Sequence, residues 1–255
     1  MKLKERQSRI LAMLRATETV EIGDLCRALD VSRETVRKDL YELERDGLLT
    51  KFRGGAVLTP TNVESAYDLR KAKHTAAKKA IAQEAAATIK PGDTVFLDYG
   101  TTTFMLAEEL LQAEGITVVT NALPIVNRLL PNTAITLVIP GGIVRANENS
   151  LYGPLTAQNL KSLFMTVGFF GCGGIDVRTG VTNHNIFETS ISSLGIEQCQ
   201  KVVLLADHSK FDLVAMNKTA DPRQIDLLIT DQAAPAETLA ELAAMGVEVR
   251  IAAVA

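Results

Sequence analysis

The spacing of apolar positions predicts a helix over 5–15, where Ile10, Leu11 and Leu14 share a face. A second is expected over about 21–29, carrying Ile22, Leu25 and Leu29. A short turn at Asp30 and Val31 follows, and Ser32 stands where a third helix needs an N-cap hydroxyl. In that helix Val36, Leu40 and Leu43 recur at i, i+4 and i+7, so they must face the other two helices. Arg33, Glu34, Arg37, Lys38 and Tyr41 then point outward, and Gly47 is the expected stop. LLTKFRGGAVL reads as two β-prone runs about Gly54–Gly55, a tight-hairpin signal. Three helices and a hairpin make a winged helix-turn-helix domain over 1–58.

Residues 59–74, TPTNVESAYDLRKAKH, are polar and aperiodic, which predicts a linker leading to a helix at 75–89. The remainder alternates in type. Strand-like runs fall at 94–99, 116–121, 135–140, 165–171, 201–207 and 225–230, with helical patterns such as 103–113, 122–130 and 233–245 between most of them. Strands separated by helices predict a doubly wound, mostly parallel sheet, so the fold class is α/β with 75–255 as its second domain. No repeat of 20–50 residues is visible.

Composition is that of a globular chain of 255 residues, 47% hydrophobic and 22% charged. The net charge of −3 argues against a generally basic coat for nucleic acid, but the charge is uneven. Residues 1–58 hold 12 Lys/Arg against 10 Asp/Glu, and the rest hold 15 against 20. That asymmetry permits a DNA-facing part beside an acidic one. Cys26, Cys172 and Cys199 show no metal spacing and fit a reducing compartment. The opening MKLKERQSR is too charged for a signal peptide, and no apolar run approaches a membrane span. A cytoplasmic protein is expected.

The segment 31–47 concentrates Arg33, Arg37, Lys38 and Arg45. A solvated amphipathic helix would show the same residues. A helix opening Arg-Glu-Thr-x-Arg-Lys also suits the major groove. Arg binds guanine bidentately, and Ser or Thr bonds phosphate or touches a thymine methyl. The two preceding helices, and the following hairpin with Lys51 and Arg53, favour the second reading. The candidate DNA contacts are Ser32, Arg33, Glu34, Thr35, Arg37 and Lys38, with Lys51, Arg53 and Gly54 on the wing. Double-stranded operator DNA is the expected partner.

A second constellation is FLDYGTTTFMLAEEL. A strand ends at Asp98, Gly100 turns the chain, and Thr101, Thr102 and Thr103 open a helix. Amides at a helix start, flanked by hydroxyls, cradle phosphate. A threonine-capped helix with no ligand is the plainer alternative. The stretch is neither a Walker A loop nor a G-x-G-x-x-G fingerprint, so no nucleotide cofactor is expected. Three more loops follow strand ends, carrying Thr120 and Asn121; Gly141, Gly142 and Arg145; and Asp207, His208 and Lys210. Open α/β sheets bind ligands at that edge. His74, His184 and His208 have no metal spacing, and no metal is expected. Cys172 reads as a core residue before a nucleophile.

The motifs R-x3-I-x3-L (Arg6, Ile10, Leu14), S-x-x-T-V-R-K-D-L (Ser32–Leu40) and the wing ending GGA (Gly54–Ala56) resemble the DeoR/GlpR-type bacterial transcriptional repressors. The resemblance runs the length of the chain. It implies a sensor domain similar to the sugar-phosphate isomerase fold, with a phosphorylated sugar as effector. The D-x-G-T-T-T loop would hold the phosphate. GG-x-x-R, Glu188 and D-H-S-K-F would complete the pocket. Three positions depart from the family pattern: Arg53 where His is usual, Tyr99 where a small residue is usual, and Ser192 where a lysine is common. A homodimer or homotetramer on repeated half-sites is expected, because one winged helix offers few base contacts. The alternative is a sugar-phosphate isomerase with an appended DNA-binding domain, using Asp98, Asp207, Glu188 and Lys210 as acid and base groups.

Overall fold

The structure is a computed structural model and describes residues 3–17, 19–45, 49–52, 54–58 and 67–254. The chain divides into two compact units, Met1–Ser65 and Ala66–Ala255. In the first unit, helices α1 (Leu3–Thr17), α2 (Ile22–Leu29) and α3 (Arg33–Arg45) enclose Ile10, Leu14, Leu25, Leu29, Val36, Leu40 and Leu43. These are the periodic positions of the sequence. Strands β2 (Leu49–Phe52) and β3 (Gly55–Leu58) form the hairpin, with Gly54 in the left-handed region. Strand β1 (Thr19–Glu21) pairs with β3 and completes a three-stranded sheet that the sequence pattern did not announce. Gly47 lies outside the described residues.

The second unit begins with α4 (Tyr67–Ala72) and α5 (Thr75–Ala86). Helix α4 falls inside the stretch read as an aperiodic linker. It is too short for a period to show, and tertiary contacts hold it. The chain continues through β4 (Thr94–Leu97), α6 (Thr101–Glu109), β5 (Thr117–Thr120), α7 (Leu123–Leu129) and β6 (Thr136–Val138). Then come a hairpin, β7 (Ile143–Arg145) and β8 (Ser150–Tyr152), and α8 (Pro154–Leu160). After β9 (Met165–Phe170) follow β10 (Gly174–Asp176), β11 (Gly180–Asn183), α9 (Ile186–Glu197) and β12 (Cys199–Leu205). The chain ends through β13 (Asn217–Ala220), β14 (Leu227–Asp231), α10 (Ala236–Ala244) and β15 (Glu248–Ala252).

Seven of these strands form one parallel sheet in the order β15-β14-β12-β9-β4-β5-β6. The seventh, β15, was not expected; its EVRIA pattern places charge on a short edge strand. Strands β10, β11 and β13 make a small antiparallel sheet. Side chains alternate across the parallel sheet as a period of two requires. Val95 and Leu97 join Ile81, Leu106 and Ile125 in one core layer. Phe96 joins Phe170, Ile191 and Leu242 in the other. Helix α9 lies so close to the sheet that a Cβ at Gly195 would meet Phe96 at 2.8 Å.

Candidate DNA-binding face and effector pocket

Ser32 Oγ accepts the backbone N–H of Thr35 at 3.2 Å, as an N-cap should. Arg6 donates two hydrogen bonds to the buried Asp39, at 2.5 and 2.9 Å, and so fixes α1 against α3. With Val36, Leu40 and Leu43 inward, Arg33, Glu34, Arg37 and Lys38 are exposed and Thr35 is half-buried. The side chains of Arg33, Arg37 and Lys38 take no partner among the described residues. Lys51 behaves otherwise. It pairs with Glu44 at 2.8 Å, lies 4.6 Å from the Tyr41 ring centre, and holds the Glu44 carboxyl below the usual carboxylate range through their side-chain hydrogen bond. Its charge is therefore turned onto α3. Arg53 lies outside the described residues.

In the second unit the sheet order reverses between β4 and β9, the point at which an open α/β sheet leaves a crevice beyond its strand ends. Asp98 follows β4 there, and its N–H donates to the Phe169 carbonyl of β9 at 3.0 Å. Gly100, at φ 137°, makes the turn that starts α6. Among the described residues no side chain caps the first amides of α6. Thr103 Oγ turns back to the Gly100 carbonyl at 3.1 Å, while the Thr101 and Thr102 hydroxyls take no partner among the described residues. This end can bind an anion.

Asp98 is buried, and Ser192 Oγ donates to its Oδ2 at 2.6 Å. Burial pushes the Asp98 carboxyl up to about 8, against the opposing hydrogen bonds from Ser192 and the Tyr99 amide. Asn121 follows the neighbouring strand β5 and donates from Nδ2 to the Leu151 carbonyl at 3.3 Å. Asp207 follows β12 and accepts the Ser209 N–H at 2.9 Å. Asp98 Oδ1, Asn121 Oδ1 and Asp207 Oδ2 are buried and find no partner among the described residues. An unsatisfied buried acceptor costs about 1–3 kcal/mol, so this strand edge suits a hydrogen-bond-donating ligand.

The cations come from two places. Lys210 lies in the loop after β12, as the sequence suggested. Lys78, on α5, was not foreseen. It is only 3% exposed and donates to the Arg70 carbonyl at 2.5 Å. Burial pulls its ammonium down to about 8, although Asp207 opposes the shift. Burial also raises Asp207, but Lys210, Ser209, His74 and Lys78 outweigh it and hold that carboxyl below the usual range. Helix α4 adds Arg70, which pairs with the buried Glu148, and Lys71, whose Nζ sits 4.0 Å from the centre of the Phe104 ring on α6. Arg70 and Lys71 were missed because DLRKAKH was read as linker, whereas Lys78 lay in the helix expected over 75–89. The density of cations in that stretch before an alanine-rich helix was the available signal.

Other expected pocket residues are engaged with each other. Arg145 and Ser150 both donate to the buried Glu188. Gly142, at φ 132°, lies so close to α8 that a Cβ would meet Thr156 Oγ1 at 1.9 Å, and the Gly141 carbonyl accepts from the same Thr156. Close packing accounts for Gly142, and the left-handed backbone, φ 71°, for Gly141. His208 is pinned by Asp231, through its N–H at 2.7 Å and Nδ1 at 2.9 Å. Cys172 is half-buried against the second core layer, and burial pushes its thiol up to about 12. Among the described residues no group of three or more His, Cys, Asp or Glu is placed to hold a metal. No helix of the described residues is long and apolar enough to cross a membrane.

Comparison with known proteins agrees with both halves. The family model described as the DeoR-like helix-turn-helix domain matches residues 6–62, and the DeoR C terminal sensor domain matches 73–232. An HTH-type transcriptional regulator, GolR, from Listeria innocua is 35% identical over 89% of this chain and 90% of its own length. The lactose phosphotransferase system repressor of Lactococcus lactis is 33% identical, covering 91% of this chain and 92% of the relative. The glycerol-3-phosphate regulon repressor of Escherichia coli K12 is 30% identical, covering 94% and 95%. The chain belongs to the DeoR family of DNA-binding transcriptional regulators.

Proposed function

We propose that this protein represses a carbohydrate-use operon and that a phosphorylated sugar, bound at the strand ends of the second unit, controls it. What supports the sensing half is that Lys78 and Lys210 act on Asp207 after β12, two strands from the start of α6, on a sheet edge that also holds unsatisfied acceptors. Cations and amides suit phosphate, and acceptors suit hydroxyls. Two relatives are named for a glycerol-3-phosphate regulon and a lactose phosphotransferase system, which supports a sugar-linked ligand. The DNA half rests on the exposed row Arg33, Arg37 and Lys38, with Ser32, Glu34, Thr35, Arg53 and Gly54 as further contacts; Lys51 joins them only by leaving its pair with Glu44. A homodimer or homotetramer supplies the second recognition helix. The effector acts by preferring one conformational state, without which it could not change DNA affinity.

The test is operator binding by the full chain, followed by fluorescence anisotropy on DNA upstream of its own gene, with a panel of sugars and sugar phosphates. Phosphorylated members should shift the affinity. If none does, the sensing half fails. The isomerase reading survives on the raised Asp98 carboxyl, although Glu188 is tied up by Arg145 and Ser150. Turnover of pentose or hexose phosphates would establish it.

A further inference from the structure

Large apolar side chains of the second unit form one exposed surface. Ile143 and Val144 lie on β7, Leu155 at the start of α8, and Ile186 and Phe187 at the start of α9, each between 53% and 63% exposed. They adjoin one another. Ile143 pairs with Tyr152 across the hairpin, and the Tyr152 ring centre lies 5.3 Å from that of Phe187. A Cβ at Gly153, which stands just before α8, would meet Ile143 Cδ1 at 3.2 Å. The surface carries no charge. In a chain that is 22% charged, residues 139–160 and 183–193 contain only Arg145, Glu148 and Glu188 among Asp, Glu, Lys and Arg. All of these are turned inward, Arg145 to Glu188 and Glu148 to Arg70, and none is exposed. The exposed polar neighbours Asn147 and Gln158 are neutral amides.

Nucleic acid or an acidic partner would call for cations, and a basic partner for anions; this surface has neither. A second copy of the same chain fits it. A twofold axis sets a patch against itself, so net charge on the patch would meet its own sign, and a neutral patch escapes that repulsion. Strand β7 pairs only with β8 among the described residues, which leaves its outer edge open. The same axis lays an open edge antiparallel to its own copy. At these exposures the side chains offer on the order of 500 Å² of apolar surface, near the upper end of the about 300–600 Å² in the largest patch of a typical monomer. With the neutral amides around them this approaches the about 800 Å² that each partner gives to a stable dimer. We propose that the β7–β8 hairpin and the starts of α8 and α9 form the contact between two copies of this chain. This rests on the reading of the protein as an oligomer on its operator and adds the surface that makes it.

The experiment is sedimentation equilibrium of the full chain without DNA, from low to high micromolar concentration, for the wild type, Val144→Glu, Leu155→Glu and Phe164→Glu. Phe164 is the control: it is 78% exposed but precedes the start of β9, whereas the hairpin follows the end of β6, at the opposite end of the parallel strands. The wild type should be a dimer or a larger even assembly. Each glutamate in the patch sets like charges together in an apolar contact and should weaken association at least about tenfold, while Phe164→Glu leaves it unchanged. Circular dichroism checks the fold of each variant. If a glutamate variant does not fold, Val144→Thr and Leu155→Ser are read in its place and should weaken association by a smaller factor. Wild-type dimers that the patch variants leave intact, or that Phe164→Glu dissociates as readily, overturn the proposed surface and leave the oligomer reading standing. A wild type that stays monomeric throughout overturns both.

Discussion

The Arg145 guanidinium donates to the Glu188 carboxylate, which Ser150 also serves, so two residues expected to reach for an effector neutralise one another. They lie on β7 and in α9, and with Glu148 holding Arg70 they tie the β7–β8 hairpin region to both α9 and α4. Their first role is structural. Glu188 is fully buried and Arg145 partly so, and a buried carboxylate deprived of its partner costs far more than the pair contributes.

Arg145→Ala should therefore destabilise the second unit by about 3–5 kcal/mol, read from urea unfolding of the full chain. The double variant Arg145→Met, Glu188→Leu should recover most of that loss, because no charge is left buried. A single variant as stable as the wild type would show that the pair is not held as described.

Asp98 gives a dependence on pH. Its folded carboxyl, near 8, lies above the ordinary 3.8, so between those values the folded state binds a proton that the unfolded state lacks. Its contribution to stability is therefore full below about 4 and is lost as pH rises through about 8. Asp98→Asn should remove that component. Thermal unfolding of variant and wild type across this range should show the variant gaining relative stability with pH. Parallel curves would contradict a carboxyl held protonated by burial.

On the DNA side, Arg37→Ala should cost about 1–3 kcal/mol of specific operator binding if the guanidinium reads a base. Non-operator affinity at the same salt should change much less. Unchanged operator affinity with the fold intact would take Arg37 off the interface.

The face of α3 was legible in the sequence because a helix that buries Val36, Leu40 and Leu43 has no choice about where Arg33 and Arg37 go. The glycine turn and threonine helix after β4 were legible for a similar reason: the residues lie together in the chain. What stayed hidden is made by residues far apart in sequence. Nothing local in DLRKAKH tells that Arg70 meets Glu148, and nothing in the helix that follows tells that Lys78 is buried near Asp207. Nothing in GG-x-x-R tells that its arginine is spent on Glu188. Strand β15 was hidden because Glu248 and Arg250 interrupt the continuous apolar run that marks the central strands, yet it pairs with β14 along its whole length.

The most direct test of the account joins the pocket to the operator. Thr102→Val removes a hydroxyl at the start of α6 with almost no change in volume, so it should fold as the wild type does. Operator affinity is measured by anisotropy for both proteins, with and without the best-binding sugar phosphate and its unphosphorylated parent. The account predicts that the phosphate alone shifts wild-type affinity and that the variant needs much more of it, because coupling between two sites is reciprocal. An equal response to the plain sugar, or an undiminished response from Thr102→Val, would contradict it.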